Sequence, residues 1–289
     1  MACKSLRWEK NQKNNMTGWF VFRGQIVPPP RSSQLGAGLL ILLIVLFGLY
    51  QTSPFPESIQ SWVPRILLLL LPLSLASRSI YTIHFNVLVV CYYLERFFPR
   101  FPLYPFSDLT FLLLYFFAVM SIPTLRGSVG WLRPGKFDAS VWRLVAVTVV
   151  VPIIALMLWV HYFSPDLGRY GNMVPHFPLW LIALYAVANA SFNAMLEETI
   201  WRGVMLEALD SAFGPGIWPL VIQSVSFAVA HYRHGFPNGI IGSAMVVVFG
   251  MMLGVIRRKS KGVLAGWVAH TAVDAAIFTM IVHFIRQAS

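Results

Sequence analysis

Two adjacent carboxylates, Glu197 and Glu198, close an apolar stretch that runs from Leu179 to Leu196. Ionisable groups at membrane depth are costly and rare, so they point to function before packing. Arg202 follows four residues after Glu198. On a helix, Glu198 and Arg202 are i,i+4 neighbours on one face, and Glu197 points about 100° away. The arginine can neutralise one carboxylate and leave the other available as a general base. Two later apolar stretches carry Phe227-x-x-x-His231 and His270-x-x-x-Asp274. His270 and Asp274 share a helical face and can hydrogen-bond. Taken singly, each motif has a plainer reading: an interfacial salt bridge, a histidine at a helix end, a self-satisfied helix-packing pair. Converging from three helices, they supply a base, a second group for water and donors for an oxyanion. Those parts suffice to hydrolyse an amide with an activated water. No serine or cysteine sits in a nucleophile elbow, so a covalent route has no candidate. Asn189, Asn193 and Glu197 form one polar stripe, and the two amides are expected to be interhelical glue.

The elements that position these residues are transmembrane. The chain has 289 residues, 57% hydrophobic and 11% charged. A soluble domain carries about 25% charged residues. The expected fold is therefore an all-α polytopic bundle. A spanning helix needs about 20 apolar residues, and candidates lie at 35–51, 62–77, 81–97, 106–122, 142–163, 179–204, 215–232, 238–256 and 263–284. The second and third are the least secure, the third because it holds His84, Asn86 and Glu95, so eight or nine spans are expected. Three parts follow: a basic tail over 1–34, an N-terminal transmembrane region over 35–140, and a catalytic transmembrane core over 141–289.

The net charge of +11 is carried between apolar runs, as the positive-inside rule expects, and nucleic acid is not an expected partner. Basic residues gather in the tail, in the 123–141 loop and at Arg257-Arg258-Lys259-Ser260-Lys261. With nine spans, these loops place the N-terminus in the cytoplasm and the C-terminus outside. The first apolar run lacks a small-residue cleavage site and reads as a signal anchor. Cys3 and Cys91 are not expected to pair, and lipidation of Cys3 has weak support.

At these motifs the chain resembles the CaaX protease and bacteriocin-processing enzyme family, the Abi-type membrane proteases, which includes the type II CaaX prenyl endopeptidases. The family pattern is Glu-Glu-x-x-x-Arg, Phe-x-x-x-His and His-x-x-x-Asn or Asp, met here by Glu197-Glu198-x-x-x-Arg202, Phe227-x-x-x-His231 and His270-x-x-x-Asp274. Gly250 and Gly254 look like the family's small-residue helix. The resemblance covers roughly 180–280, and the first 140 residues show no pattern that can be placed.

The resemblance implies a glutamate-dependent intramembrane endopeptidase. Glu197 would be the base and His231 would orient the water. His270 and Asp274 would stabilise the oxyanion or hold the site. Glu198, Arg202 and Phe227 would be structural support. An ionised Asp274 only accepts hydrogen bonds, so it is expected to orient His270, which donates. No cofactor or metal is expected, although two histidines and a carboxylate are a legitimate zinc set. The expected partners are the bilayer and a membrane-anchored or lipid-modified protein or peptide, cut near a terminus. A bacterial inner membrane is the expected location. Two other classes stay open: a non-catalytic immunity or scaffold protein, and a proton-coupled transporter. One tension is geometric, since hydropathy puts Glu197 and His231 toward opposite ends of their helices.

Overall fold

The computed structural model describes residues 34–52, 61–98, 108–163, 165–175 and 177–288. The basic tail up to Arg31, with Cys3, lies outside the described residues. Within them the regular structure is helical, with no strand. Each of the nine expected apolar stretches is a helix: α1 (Gln34–Thr52), α2 (Trp62–Ala76), α3 (Ile80–Leu94), α4 (Leu109–Ser121), α5 (Ala139–Phe163), α6 (Leu179–Phe213), α7 (Ile217–His234), α8 (Gly239–Ser260) and α9 (Leu264–Ala288). Five of them, α1, α5, α6, α8 and α9, are long and apolar enough to cross a membrane. By the same measure α2, α3 and α4 are apolar but short, at 15, 15 and 13 residues.

Local sequence explains several boundaries. Asp138 caps α5: its Oδ1 accepts the backbone N–H of Ser140 and Val141, both at 2.9 Å, filling donors that a helix start leaves unpaired. The Ser140 hydroxyl and these amides hold the Asp138 carboxyl below its ordinary pKa. Lys261 ends α8 in the left-handed region at φ 58°, its N–H bonded to Arg257 O at 3.0 Å. α6 is 35 residues long, about 50 Å at 1.5 Å per residue. It does not stop at 204 as hydropathy suggested. A π-helical segment, Glu198–Met205, lies within it, and such segments recur at functional sites.

The helices alternate in direction, and contacts at the turns fix which ends lie together. At one end the 127–138 loop meets the α8–α9 turn through Lys136 N to Ser260 O (2.7 Å) and Val263 N to Arg133 O (3.0 Å). Here too, Arg257 bonds Glu207 (2.8 Å) and Arg258 bonds Asp210 (2.5 Å), tying α8 to the C-terminal part of α6. Arg126, Arg133, Lys136 and the 257–261 run therefore belong to one end. At the other end lie the end of α1, the end of α3, the start of α6 and the end of α7.

In lipid, burying apolar surface gives little drive for helix association. Packing and polar contacts matter more. One core joins residues from Leu39 to Val273, continuous across residue 140. α1 packs on α7, and α3 packs on the π segment. The polar residues that made α3 insecure are pins: His84 Nε2 lies 2.7 Å from Ser128 Oγ, and Asn86 donates to Ser74 Oγ at 2.9 Å. The outer faces are apolar, as on α5 with Val147, Val150, Ile154 and Met157.

Trp131, in the loop before α5, lies on Gly203 of the π segment. A Cβ at Gly203 would sit 2.7 Å from the indole, which is itself buried. Gly203→Ala should cost about 1–3 kcal/mol through overpacking, read as a lowered thermal midpoint in detergent. An unchanged midpoint would show that Trp131 does not brace the segment.

Candidate active site

Where α6 passes into its π segment, both glutamates reach one imidazole. His270, on α9, has Nδ1 3.0 Å from Glu198 Oε1 and Nε2 3.3 Å from Glu197 Oε2. A neutral ring can donate to one carboxylate only, whereas an imidazolium donates from both nitrogens. His270 is buried, at 2% exposure, so the carboxylates supply what water would otherwise give.

Glu198 is also the partner of Arg202, as the spacing predicts: Arg202 Nη1 lies 3.2 Å from Glu198 Oε1. The guanidinium is fully buried, and its carbon stands 4.2 Å over the Phe227 ring. The contact to Glu198 is an ion pair without hydrogen-bond alignment. Charge and the ring face thus hold Arg202. Glu198 serves both Arg202 and His270, which the spacing alone did not reveal. Gly266 on α9 lets it fit, since a Cβ there would lie 2.8 Å from Glu198 Oε2.

His231, on α7, turns Nδ1 to Phe227 O at 3.0 Å. That carbonyl can only accept, so Nδ1 carries a proton, and in the neutral ring Nε2 is then the acceptor. Nε2 faces Glu197 Oε1 at 4.0 Å. The feared mismatch in depth is absent because α6 continues well past the glutamates, placing Glu197 at the middle of its helix.

Asp274 differs from expectation. Its Oδ1 lies 3.6 Å from His270 Nε2, beyond a hydrogen bond, while Oδ2 accepts from Asn193 Nδ2 at 2.9 Å. His270 is oriented by Glu198, and Asp274 is fixed by Asn193 across the α6–α9 interface. Phe227 is the hub beneath the site, with ring centres 4.5 Å from His231, 4.9 Å from Trp201 and 5.9 Å from His270. Trp201 donates to Ser226 Oγ at 3.4 Å. Phe249 meets the His270 ring edge-on with centres 5.1 Å apart, and it, Asn193, Trp201 and Gly266 lie outside the expected site residues. The only sequence signal was the Asn189–Asn193–Glu197 stripe.

A cavity of about 340 Å³ opens on Glu197, His231, Asn193 and Asp274. Gln51 of α1 and Tyr92 of α3 form its far wall, with the Tyr92 hydroxyl donating to Gln51 at 3.4 Å. The N-terminal helices thus enclose the site, at the end opposite the basic loops. As zinc ligands the residues fit poorly: both His270 nitrogens face carboxylates. Among the described residues no group of three or more His, Cys, Asp or Glu side chains is set to hold a metal.

Every motif residue lies within one matched stretch. Residues 177–276 match the family described as type II CAAX prenyl endopeptidase Rce1-like. No curated protein and no solved structure matches the chain. The Rce1-like region comprises α6, α7, α8 and the first half of α9. Together with the apolar spans, the match implies an integral membrane peptidase.

Removing the guanidinium leaves Glu198 buried beside His270 alone. Arg202→Met should therefore destabilise the fold by about 3–5 kcal/mol, measured by thermal or denaturant unfolding. A variant as stable as the parent would show that the pair does not hold the site.

Proposed function

We propose that this protein is a glutamate-dependent intramembrane endopeptidase. Glu197 is its general base and His231 its water-orienting partner. The observation that carries this reading is the 4.0 Å gap between Glu197 Oε1 and His231 Nε2 beside the cavity. Both atoms are acceptors, and polar atoms so spaced suit a bridging water. Such a water donates one hydrogen to each and turns a lone pair outward, toward a carbonyl carbon. Glu197 takes the proton as the bond forms and later returns it to the leaving amine.

His270 is the donor nearest that chemistry. Its Nε2–H faces Glu197, and it is released toward an oxyanion as Glu197 becomes neutral. Asp274 and Asn193 hold the wall of the cavity on that side. Glu198 and Arg202 keep the imidazolium in place from beneath and take no proton in the reaction. No step needs a metal.

The proposed substrate is a membrane-anchored or lipid-modified protein or peptide, cut near a terminus. Peptide maturation and removal of C-terminal sorting tails rank above prenyl-protein trimming, because the cavity and the basic loops lie at opposite ends. By the positive-inside rule the basic end faces the cytoplasm, which turns the cavity away from it. A bacterial inner membrane, with the N-terminus inside, suits that orientation.

Membranes holding the parent protein should accumulate cleaved fragments, identified by mass spectrometry, that are absent with Glu197→Ala. Equal fragments from both would end the protease reading. Parent activity should persist in EDTA. Loss in EDTA with recovery on adding zinc would replace the water-activating glutamate with a metal.

A further inference from the structure

The basic end of the bundle carries charge that the buried cluster does not use. Two segments meet there, the loop leading into α5 and the turn between α8 and α9. Their backbones are joined by Lys136 N to Ser260 O (2.7 Å) and by Val263 N to Arg133 O (3.0 Å). Two glycines let them approach so closely, since a Cβ on Gly135 would lie 2.9 Å from Gly262 Cα. The segments are therefore fixed against each other.

Arg133 and Lys136 on the loop, Arg143 near the start of α5, Lys259 in the last turn of α8 and Lys261 just after it are all exposed. Arg257 and Arg258 of the same run are engaged by Glu207 and Asp210. The exposed acid in the two segments is Asp138. Its Oδ1 caps α5, and Lys259 stands within its electrostatic reach. Five exposed cations thus surround one carboxylate. Like charges held together by backbone contacts repel one another, and an anion placed among them relieves that repulsion.

Depth identifies the anion. Arg143 and Val147 are four residues apart on α5, as are Lys259 and Val255 on α8. Each pair shares a helix face and spans about 6 Å along the axis. Both valines are exposed, and both helices are apolar enough to cross a membrane. On each helix the surface therefore changes from lipid-facing valine to cation within about one turn. α5 and α8 pack together, and the two changes come at the same end. Trp142 marks the same level: it is exposed, with its ring centre 5.5 Å from that of Phe137, and tryptophan favours the membrane–water interface. Arg143 folds back along α5, its Nε donating to Ala139 O at 3.3 Å, which turns the guanidinium toward the loop.

We infer that this platform binds the phosphodiester headgroup of an anionic phospholipid. Lipid phosphate is the anion found one turn beyond the hydrocarbon, and a soluble acidic protein would not require cations at that depth. The headgroup would rest on the turn from which α9 starts, beside the loop whose Trp131 packs on Gly203. The 133–143 part of the platform lies outside the Rce1-like match, and the inference does not rest on the peptidase reading.

The test is native mass spectrometry of the full chain in detergent, titrated with phosphatidylglycerol or with phosphatidylcholine of the same acyl chains. The parent should bind phosphatidylglycerol at least about fivefold tighter, the scale of one cation at an anionic membrane surface. Lys136→Gln and Lys259→Gln should each weaken phosphatidylglycerol by about fivefold and leave phosphatidylcholine unchanged. Both side chains are exposed, so neither variant should lose the fold. Arg65→Gln removes an exposed cation at the start of α2, at the opposite end, and should bind like the parent. A parent without preference, platform variants that bind like the parent, or an equal loss in Arg65→Gln would overturn the site. So would displacement of phosphatidylglycerol by an equal concentration of inorganic phosphate or of polyglutamate, because the occupant would then be a free anion or an acidic protein.

Discussion

The imidazole of His270 lies between two carboxylates in a membrane interior, and the rest of the site follows from that contact. Each glutamate faces one ring nitrogen, at 3.0 and 3.3 Å. An uncompensated charge at this depth would cost several kcal/mol. The cluster therefore holds only while α6 and α9 keep their register. Asn193 with Asp274 ties the same two helices one turn away. Trp267 adds a bond to Ser191 O at 2.8 Å. Arg202, seated on Phe227, supplies a positive charge from α6 itself and draws α7 into the arrangement.

That arrangement gives the adjacent glutamates different surroundings. Glu198 is inward, shared by Arg202 and His270 and closed off by Gly266. Glu197 turns to the cavity, where its other oxygen faces His231. The π-helical turn begins between them. Trp131 packs against this segment at Gly203, so a loop distant in sequence braces the backbone next to both glutamates.

Much of this was legible in the sequence. The nine apolar stretches became helices because hydrophobic length is a strong signal. The Glu198–Arg202 pair followed from helical spacing. The three motifs met because each places a polar side chain in an apolar helix, and such groups seek one another. The extent of α6 was hidden, since Glu207 and Asp210 lower its hydropathy. Their partners, Arg257 and Arg258, lie 50 and 48 residues away in the chain. The shared role of Glu198 was hidden for a related reason, because no spacing rule relates a glutamate on one helix to a histidine 72 residues later. Gln51 and Tyr92 could not be linked to the site because they lie in the region without a family pattern. The reading of Asp274 as the partner of His270 followed i,i+4 spacing, but Asn193 offers a better-aligned donor.

Under the proposed function the two glutamates differ in kind: Glu197 carries the chemistry and Glu198 the structure. The most direct measurement compares the thermal unfolding midpoints of Glu197→Gln and Glu198→Gln in the same lipid. A clear fall is expected for Glu198→Gln, which strips Arg202 and His270 of their shared carboxylate, and a midpoint at or above that of the parent for Glu197→Gln. Equal falls, or a larger fall for Glu197→Gln, would contradict it.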